Sequence, residues 1–339
     1  MFGLFSKAIK HQPRAVAGDQ LGCFGKMPIH SEFIRHNVKS REAVALDAWI
    51  QEGIGFIIRK HGSSWPETYR TFPGCHFVMV GGEEERTVIG TLIPSQDRSG
   101  RHYPFILFTV AEDPIFRRMQ AVPPAVYDEF FLKAQELCEE RWKNEGVPLL
   151  VSRVEGLYRR QGELSRRLLL EQQIEILKNV ELGLLWRTAL PDLAPENRQM
   201  LFATLVQTLR TVTRRTPLRT SWGVRLPLPG EGNPRPFVIF WMQLIESILE
   251  DRNLRAHYFW RASSCAAPAS LTVFFRPIPG SYLLHLIDPA LNDGSIFDVV
   301  AEMSRGEGKE NLDLRRLLAD DRVSLLDVLY RLGRREVAG

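Results

Sequence analysis

A polar turn between two apolar segments carries the side chains that are best suited to chemistry. The stretch 91–108 contains Ser95, Asp97, Arg98 and Arg101 between residues typical of buried strands. A carboxylate can transfer a proton, and guanidinium groups bind carboxylate or phosphate oxygens in a bidentate manner. Alternatively, Asp97 caps the turn while one arginine closes an ion pair. Three interpretations are therefore open for this turn: catalysis, binding of an anionic partner and turn stabilisation.

Sequence motifs of enzymes and metal sites give no second candidate. The chain contains no P-loop, no G-x-G-x-x-G after a strand, no H-E-x-x-H and no G-x-S-x-G. His30, Glu32 and His36 include the H-x-E pattern of zinc deaminases, but the C-x-x-C that those enzymes also need is missing. No nucleophile–base pair stands beside Asp97 in the sequence. We therefore expect no catalytic residue, no cofactor and no metal.

The composition is that of an ordinary globular protein. Of the 339 residues, 44% are hydrophobic and 25% are charged, which is enough to bury a core. The 44 basic and 40 acidic side chains leave a net charge of +4, which does not predict nucleic-acid binding. The four cysteines are widely separated, as in a reducing compartment. Lysines interrupt the apolar N-terminus and no later run could span a bilayer, so we expect a cytoplasmic protein without stable membrane insertion.

Hydrophobic periodicity predicts an antiparallel meander in the first half of the chain. Short polar loops join three mostly apolar strands, so consecutive strands are expected to pair. Because the strands are apolar on both faces, helices should cover both sides of the sheet. The predicted elements are a strand over 20–28, a loop over 29–37, a helix over 41–60, a connection from 65 to 74, strands over 76–81, 86–93 and 103–111, and a helix over 125–144.

The second half of the chain begins with a mainly helical segment over 151–215. The stretch 217–236 is rich in Pro and Gly, a composition typical of linkers. A shared apolar face and its length favour a helix over 237–250. We further predict strands over 256–261 and 270–276, a possible third strand over 282–287, a short helix over 296–303, and a charged helical tail that ends near residue 332.

Several of these segments together resemble the TagF family, also called ImpM, of type VI secretion accessory proteins. The resemblance begins with the family pattern G-x-x-G-K-x-P and an acidic–Phe pair, and it covers roughly residues 20–145. Ser31 and Glu32 stand where the family often has Gly and Asp, which keeps the acid but not the small residue. The matching residues are Gly22, Gly25, Lys26, Pro28, Glu32, Phe33, Trp49, Trp65, Tyr69, Pro94, Ser95, Asp97, Gly100, Arg101, Tyr103, Pro104 and Phe105.

The resemblance implies a three-layer α/β/α sandwich around a mixed, largely antiparallel sheet. From this resemblance, together with the composition and periodicity of the chain, we divide the sequence into five parts, of which the helical segment departs most from the family. These parts are a flexible N-terminal tail (1–18), a TagF-like N-terminal α/β domain (19–150), a mainly helical segment (151–215), C-terminal strands and helices packed on the same core (216–305), and a charged helical extension (306–339).

The resemblance also implies a function. Family members act as post-translational repressors of type VI secretion and are linked to a forkhead-associated scaffold protein, which is the expected partner. The rival hypotheses are an enzyme or phosphate-binding sensor that uses the Asp97 turn, and a structural component of the secretion baseplate. The candidate structural or partner-contact residues are Gly25, Lys26, Pro28, Glu32, Phe33, Ser95, Asp97, Arg98 and Arg101.

Overall fold

One nine-stranded sheet forms the centre of the protein. A computed structural model describes residues 18–140, 142, 146–157, 164–251, 253–303 and 312–333. Apolar and β-branched residues dominate most of its strands, as expected for strands covered on both faces. The strands are β1 (Gln20–Gly25), β2 (Ile34–His36), β3 (Cys75–Met79), β4 (Thr87–Ile93), β5 (Phe105–Ala111), β6 (Gly223–Pro227), β7 (His257–Arg261), β8 (Ser270–Phe274) and β9 (Ile296–Asp298).

The sheet is mixed but largely antiparallel. Its strand order is β2-β1-β5-β4-β3-β7-β8-β6-β9. Among the described strands only β6 and β9 pair in parallel, and every other neighbouring pair is antiparallel. The predicted meander is present as β3, β4 and β5. Strand β3 also pairs with β7, so strands from both halves of the chain share one sheet.

Helices cover both faces of this sheet, and the predicted α/β sandwich is confirmed. One face carries α1 (Arg41–His61), α2 (Trp65–Thr71) and α10 (Leu283–Ile287). The other face carries α3 (Pro123–Val126), α4 (Asp128–Glu139), α5 (Val147–Glu155), α6 (Arg166–Lys178), α7 (Gly183–Ala189), α8 (Arg198–Arg215), α9 (Arg235–Leu249), α11 (Val299–Glu302), α12 (Leu312–Ala319) and α13 (Leu325–Gly333).

Alternating strand residues divide the core into two layers. In β5, Phe105 and Leu107 point into the layer under α3 to α9, whereas Ile106 and Phe108 point into the layer under α1. This alternation follows from the two-residue period of a strand. All four side chains are buried, which explains why the strand reads as continuously apolar in the sequence.

Three segments predicted to lack regular structure contain it. The predicted loop 29–37 holds the edge strand β2, which pairs with β1. The predicted connection after residue 65 is the helix α2, with Pro66 in its first turn. The linker-like stretch 217–236 contains β6, which lies inside the sheet between β8 and β9.

Two further predictions were wrong in element type. The possible strand over 282–287 is the short helix α10, whose residues are all buried. The predicted helix over 296–303 begins as strand β9 and becomes helical only from Val299. A third prediction, the helix over 125–144, was right in element type, but Tyr127 divides this helix into α3 and α4. Residues 1–17 of the predicted tail lie outside the described residues.

No helix in the described part of the chain is both long enough and apolar enough to cross a membrane.

Candidate functional site

The turn between β4 and β5 is held together mainly by its own backbone. The Asp97 amide donates to the carbonyl oxygen of Arg101 at 3.1 Å, and the Gly100 amide donates to that of Asp97 at 2.9 Å. Gly100 has a φ of +81°, a conformation that costs a residue with a Cβ atom more than it costs glycine. The Arg98 amide reaches outside the turn and donates to the His30 carbonyl at 3.0 Å. The turn is therefore fixed to the segment that follows β1.

The Asp97 carboxylate is the centre of this turn. Its Oδ1 accepts from the amides of Ser99 at 2.9 Å and Arg101 at 3.0 Å. Its Oδ2 accepts from Lys26 Nζ at 2.8 Å and from Arg101 Nε at 2.6 Å. The carboxylate has no exposed surface, whereas the Arg101 side chain is 58% exposed. The sequence prediction that Asp97 caps the turn and pairs with an arginine describes these contacts, and Lys26 adds a second cation.

Hydrogen bonds keep the Asp97 carboxylate charged. Burial alone would raise its pKa, but the hydrogen bonds from Lys26, Arg101 and Ser99 outweigh that effect and hold the pKa well below its usual range. A carboxylate with such a low pKa is a poor proton acceptor near neutral pH. The geometry therefore favours a structural role for Asp97 over general acid–base chemistry.

Gly25 allows the Lys26 side chain to reach the turn. Gly25 has a φ of +125°, and a Cβ atom there would lie 2.1 Å from the carbonyl oxygen of Pro104. Only glycine permits both this conformation and so close an approach to the next strand. Gly25 also pairs with Phe105 in the register of β1 and β5. The second glycine of the G-x-x-G-K pattern thus positions the lysine that follows it under the β4–β5 turn.

Aromatic side chains support the turn from the side of α1 and α2. The hydroxyl of buried Tyr69 accepts from the Ser95 amide at 3.0 Å. The ring of half-buried Phe33 meets that of Tyr103 edge to face, with 5.0 Å between centroids. In the sequence, Tyr69 stands out only as a residue of the family pattern, and the segment around it is predicted to be a connection. No local sequence signal therefore predicts this hydrogen bond.

The predicted site residues form two groups. The first group lies in and beneath the turn: Lys26 and Arg101 bond to the Asp97 carboxylate, Gly25 precedes Lys26, and the Ser95 amide bonds to Tyr69. The second group faces solvent: Pro28, Glu32 and Arg98 are exposed, and Phe33 is half-buried. Within the described part of the chain, no carboxylate forms an ion pair with the Arg98 guanidinium.

His36, the second histidine of the segment with the H-x-E pattern, contacts Glu155 and Asn37. His36 Nε2 lies 3.2 Å from a carboxylate oxygen of Glu155, and the Asn37 side chain lies 3.0 Å from the same nitrogen. In the described ranges no group of three His, Cys, Asp or Glu side chains has the arrangement of a metal site.

Two cavities in the molecule lie away from the Asp97 turn. One of about 240 Å³ is lined by residues 18–21 together with Asn37 and Lys39. The other, about 10 Å³, lies between the sheet and α10. Lys26, Asp97, Arg98 and Arg101 line neither cavity. A partner of the turn would therefore contact its outer surface and not enter one of these cavities.

Comparison with known proteins agrees with the sequence patterns. The family model "TagF N-terminal domain, Type VI secretion system-associated" matches residues 22–150. No curated protein matches the chain. Among solved structures, the chain is similar to PA0076 from Pseudomonas aeruginosa PAO1, with 15% sequence identity and a TM-score of 0.48 over 82% of this chain and 98% of that one. The resemblance noted in the sequence is confirmed for residues 22–150, which match the N-terminal domain of the type VI secretion-associated TagF proteins.

Proposed function

We propose that this chain is a non-catalytic, cytoplasmic accessory protein that represses type VI secretion by binding a forkhead-associated scaffold protein of the system. The TagF N-terminal domain over residues 22–150 supports the association with secretion. The observation that carries the mode of action is the Asp97 turn. Four donors occupy its carboxylate while Arg98, one residue further, faces solvent.

The contact surface in this proposal consists of Pro28, Glu32, Arg98 and Arg101, which we call the turn surface. All four residues are exposed. The Arg98 guanidinium has no ion pair with a described carboxylate, so a partner's acidic or phosphorylated side chain would not have to displace an internal one. Arg101 is already bonded to Asp97 and contributes mainly by holding the turn. Arg98 is therefore the residue whose change should affect binding without affecting folding.

A pull-down with the system's forkhead-associated protein tests this proposal. We expect Arg98→Glu to reduce capture at least tenfold, which corresponds to about 1.4 kcal/mol. Arg118→Glu is the matched control, because Arg118 is also exposed but lies elsewhere, directly after the short 3-10 helix Pro114–Arg117 that follows β5. The two variants have the same charge change and should have the same melting temperature.

Further measurements on the wild-type protein and on Arg98→Glu separate the proposal from its rivals. If the folded wild-type protein does not bind the forkhead-associated protein, the proposed partner is wrong. Co-sedimentation with assembled baseplates in place of soluble binding would favour a structural component. Repression is measured as type VI-dependent killing of a competitor strain: overproduction of wild type should lower killing, and overproduction of Arg98→Glu should not.

A further inference from the structure

A small polar cavity lies beside the part of the sheet formed by β3, β7, β8 and β6, and the Asp97 turn does not line it. It is enclosed between the strands β3, β6, β7 and β8 and the helix α10, and its volume is about 10 Å³. Its polar lining comes from Cys75, Arg225, Arg261, Thr272 and His285, and the remaining lining residues are apolar. A cavity of this size accommodates one water-sized particle.

The sheet register brings the two arginines together. Thr272 in β8 pairs with Arg225 in β6 on one side and with Phe259 in β7 on the other. Arg261 follows Phe259 by two residues and therefore points to the same face of the sheet. The residues Arg225 and Arg261 thus project into one layer, which α10 closes from above. Like charges so placed repel each other, and burial together with Arg225 lowers the pKa of Arg261 to about 10.

The negative charge around the cavity is unevenly placed. Arg225 has a carboxylate 3.6 Å away, that of Asp298 in β9, and it also donates to the Pro289 carbonyl at 3.0 Å. Arg261 is 8% exposed and donates to neutral acceptors only, the Ser270 hydroxyl and the Pro268 carbonyl, each at 3.3 Å. Among the described residues no carboxylate forms an ion pair with Arg261. One buried positive charge is left without a counter-charge, an expensive arrangement in a protein interior.

His285 is an independent sign of a ligand. The residue is 6% exposed, and its Nδ1 atom has no hydrogen-bond partner among the described residues. Its other nitrogen, Nε2, lies 3.5 Å from a carboxylate oxygen of Asp293. Burial lowers the pKa of His285, so Nδ1 can donate to an anion only when the imidazole is protonated at both nitrogens. A buried polar nitrogen without a partner is rare in folded proteins. Thr272, which is also buried, adds a hydroxyl to the same lining.

We propose that this cavity binds one small monovalent inorganic anion of the size of chloride, held by Arg225, Arg261, Thr272 and the protonated form of His285. The lining contains hydrogen-bond donors and no carboxylate, which suits an anion and disfavours a cation. The volume is too small for phosphate or sulfate, each of which has five heavy atoms. One monovalent anion neutralises the charge of Arg261, and it joins β6, β7 and β8 to α10.

Bromide, which replaces chloride and scatters anomalously, tests the site directly. Crystals of the full chain soaked in sodium bromide should show an anomalous peak between the two guanidinium groups and His285. No peak there, in crystals that show bromide peaks elsewhere, would overturn the proposal, because the cavity would then hold at most water.

Thermal unfolding provides the second measurement, in solution. Sodium chloride should raise the melting temperature above that in sodium gluconate of equal ionic strength, by roughly 2 °C for a tenfold excess over Kd, and this gain should saturate as for one site. Arg261→Gln should abolish the chloride-specific gain, and Arg118→Gln, which removes an exposed arginine, should retain it. Equal melting temperatures of wild type in the two salts would contradict the proposal even if the Arg261 variant fails to fold.

Discussion

Lys26 Nζ lies 2.8 Å from Oδ2 of Asp97, although 71 residues separate the two in sequence. The side chain of Lys26 is 16% exposed and that of Asp97 is not exposed at all. The pair therefore joins β1 to the β4–β5 turn from within the protein, where water screens it little.

This arrangement predicts a ranking of variants in thermal stability. Asp97→Asn should lower the melting temperature most, because it leaves Lys26 half-buried beside a neutral amide and removes the charged partner of Arg101. Lys26→Met should lower it less, since Arg101 still binds Asp97. Arg98→Gln, at an exposed position, should leave it unchanged. Circular dichroism melts at pH 7 measure all three variants, and equal melting temperatures of Asp97→Asn and Arg98→Gln would contradict the structural role of Asp97.

A second prediction compares two glycines that both have positive φ angles. Gly25→Ala would bring a methyl group to 2.1 Å from the Pro104 carbonyl oxygen, so strands β1 and β5 must separate locally. We expect a loss of about 3 kcal/mol in the free energy of unfolding, from strain and overpacking together. Gly100→Ala has open space around the new methyl group and should lose only about 1 kcal/mol, for its backbone conformation alone. Urea titration distinguishes the two, and equal losses would show that the close approach is unimportant.

A third prediction concerns acid stability. His257 begins β7 and is buried, which lowers its pKa to about 4. Between pH 6.5 and pH 4 the unfolded chain binds a proton at this residue that the folded protein does not, so the folded state loses stability as the pH falls. The full loss from this residue is about 3 kcal/mol.

The measurement for His257 is a difference between two proteins. Relative to His257→Gln, the wild type should lose about 3 kcal/mol of its free energy of unfolding between pH 6.5 and pH 4. Other groups, such as Glu246, whose pKa burial raises to about 8, titrate in both proteins and cancel. His30→Gln, at an exposed position, controls for the loss of a histidine, and urea titrations at several pH values provide the data. A difference that does not vary with pH would contradict the prediction.

The fourth prediction addresses the C-terminal helices. Leu325 in α13 is completely buried and belongs to the larger hydrophobic core. Leu325→Ala should cost about 3 kcal/mol, as for other truncations of buried leucines. Tyr330→Ala in the same helix removes a side chain at a residue that is 54% exposed and should cost less than about 0.5 kcal/mol. A small effect of Leu325→Ala in chemical denaturation would mean that α13 does not contribute to the core in solution.

Elements with strong local signals were predictable from the sequence. The helix α1 was expected over 41–60 and is found at Arg41–His61, where the Ser40 side chain caps its first turn. The meander of β3, β4 and β5 follows from short loops between apolar runs. In these cases neighbouring residues carry the information, either as hydrophobic periodicity or as turn chemistry.

The missed elements depend on partners far away in the chain. Strand β2 has only three residues and exists because β1 lies beside it. Strand β6 contains Arg225 and ends at Pro227, which obscures a strand pattern, but β8 and β9 pair with it from both sides. Helix α10 is buried on all sides, and a short apolar run without a polar face cannot be distinguished from a buried strand by periodicity.

The same contrast applies to the candidate site. The Asp97–Arg101 contact spans four residues and was anticipated from turn chemistry. The bonds from Lys26 to Asp97 and from the Ser95 amide to Tyr69 span 71 and 26 residues, and composition or spacing cannot reveal contacts of that kind. The family pattern identified these residues as a set without indicating how they touch.

The pairing of β3 with β7 limits what a fragment of this protein can do. The family-matched segment 22–150 ends long before β7, which lies at His257–Arg261 and bonds along the free side of β3. Produced alone, that segment would leave β3 as a bare outermost strand, able to recruit strands from other molecules. Strands from the C-terminal half of the chain therefore complete the sheet of residues 22–150. In binding studies with the truncated protein, self-association would add to the signal of any partner.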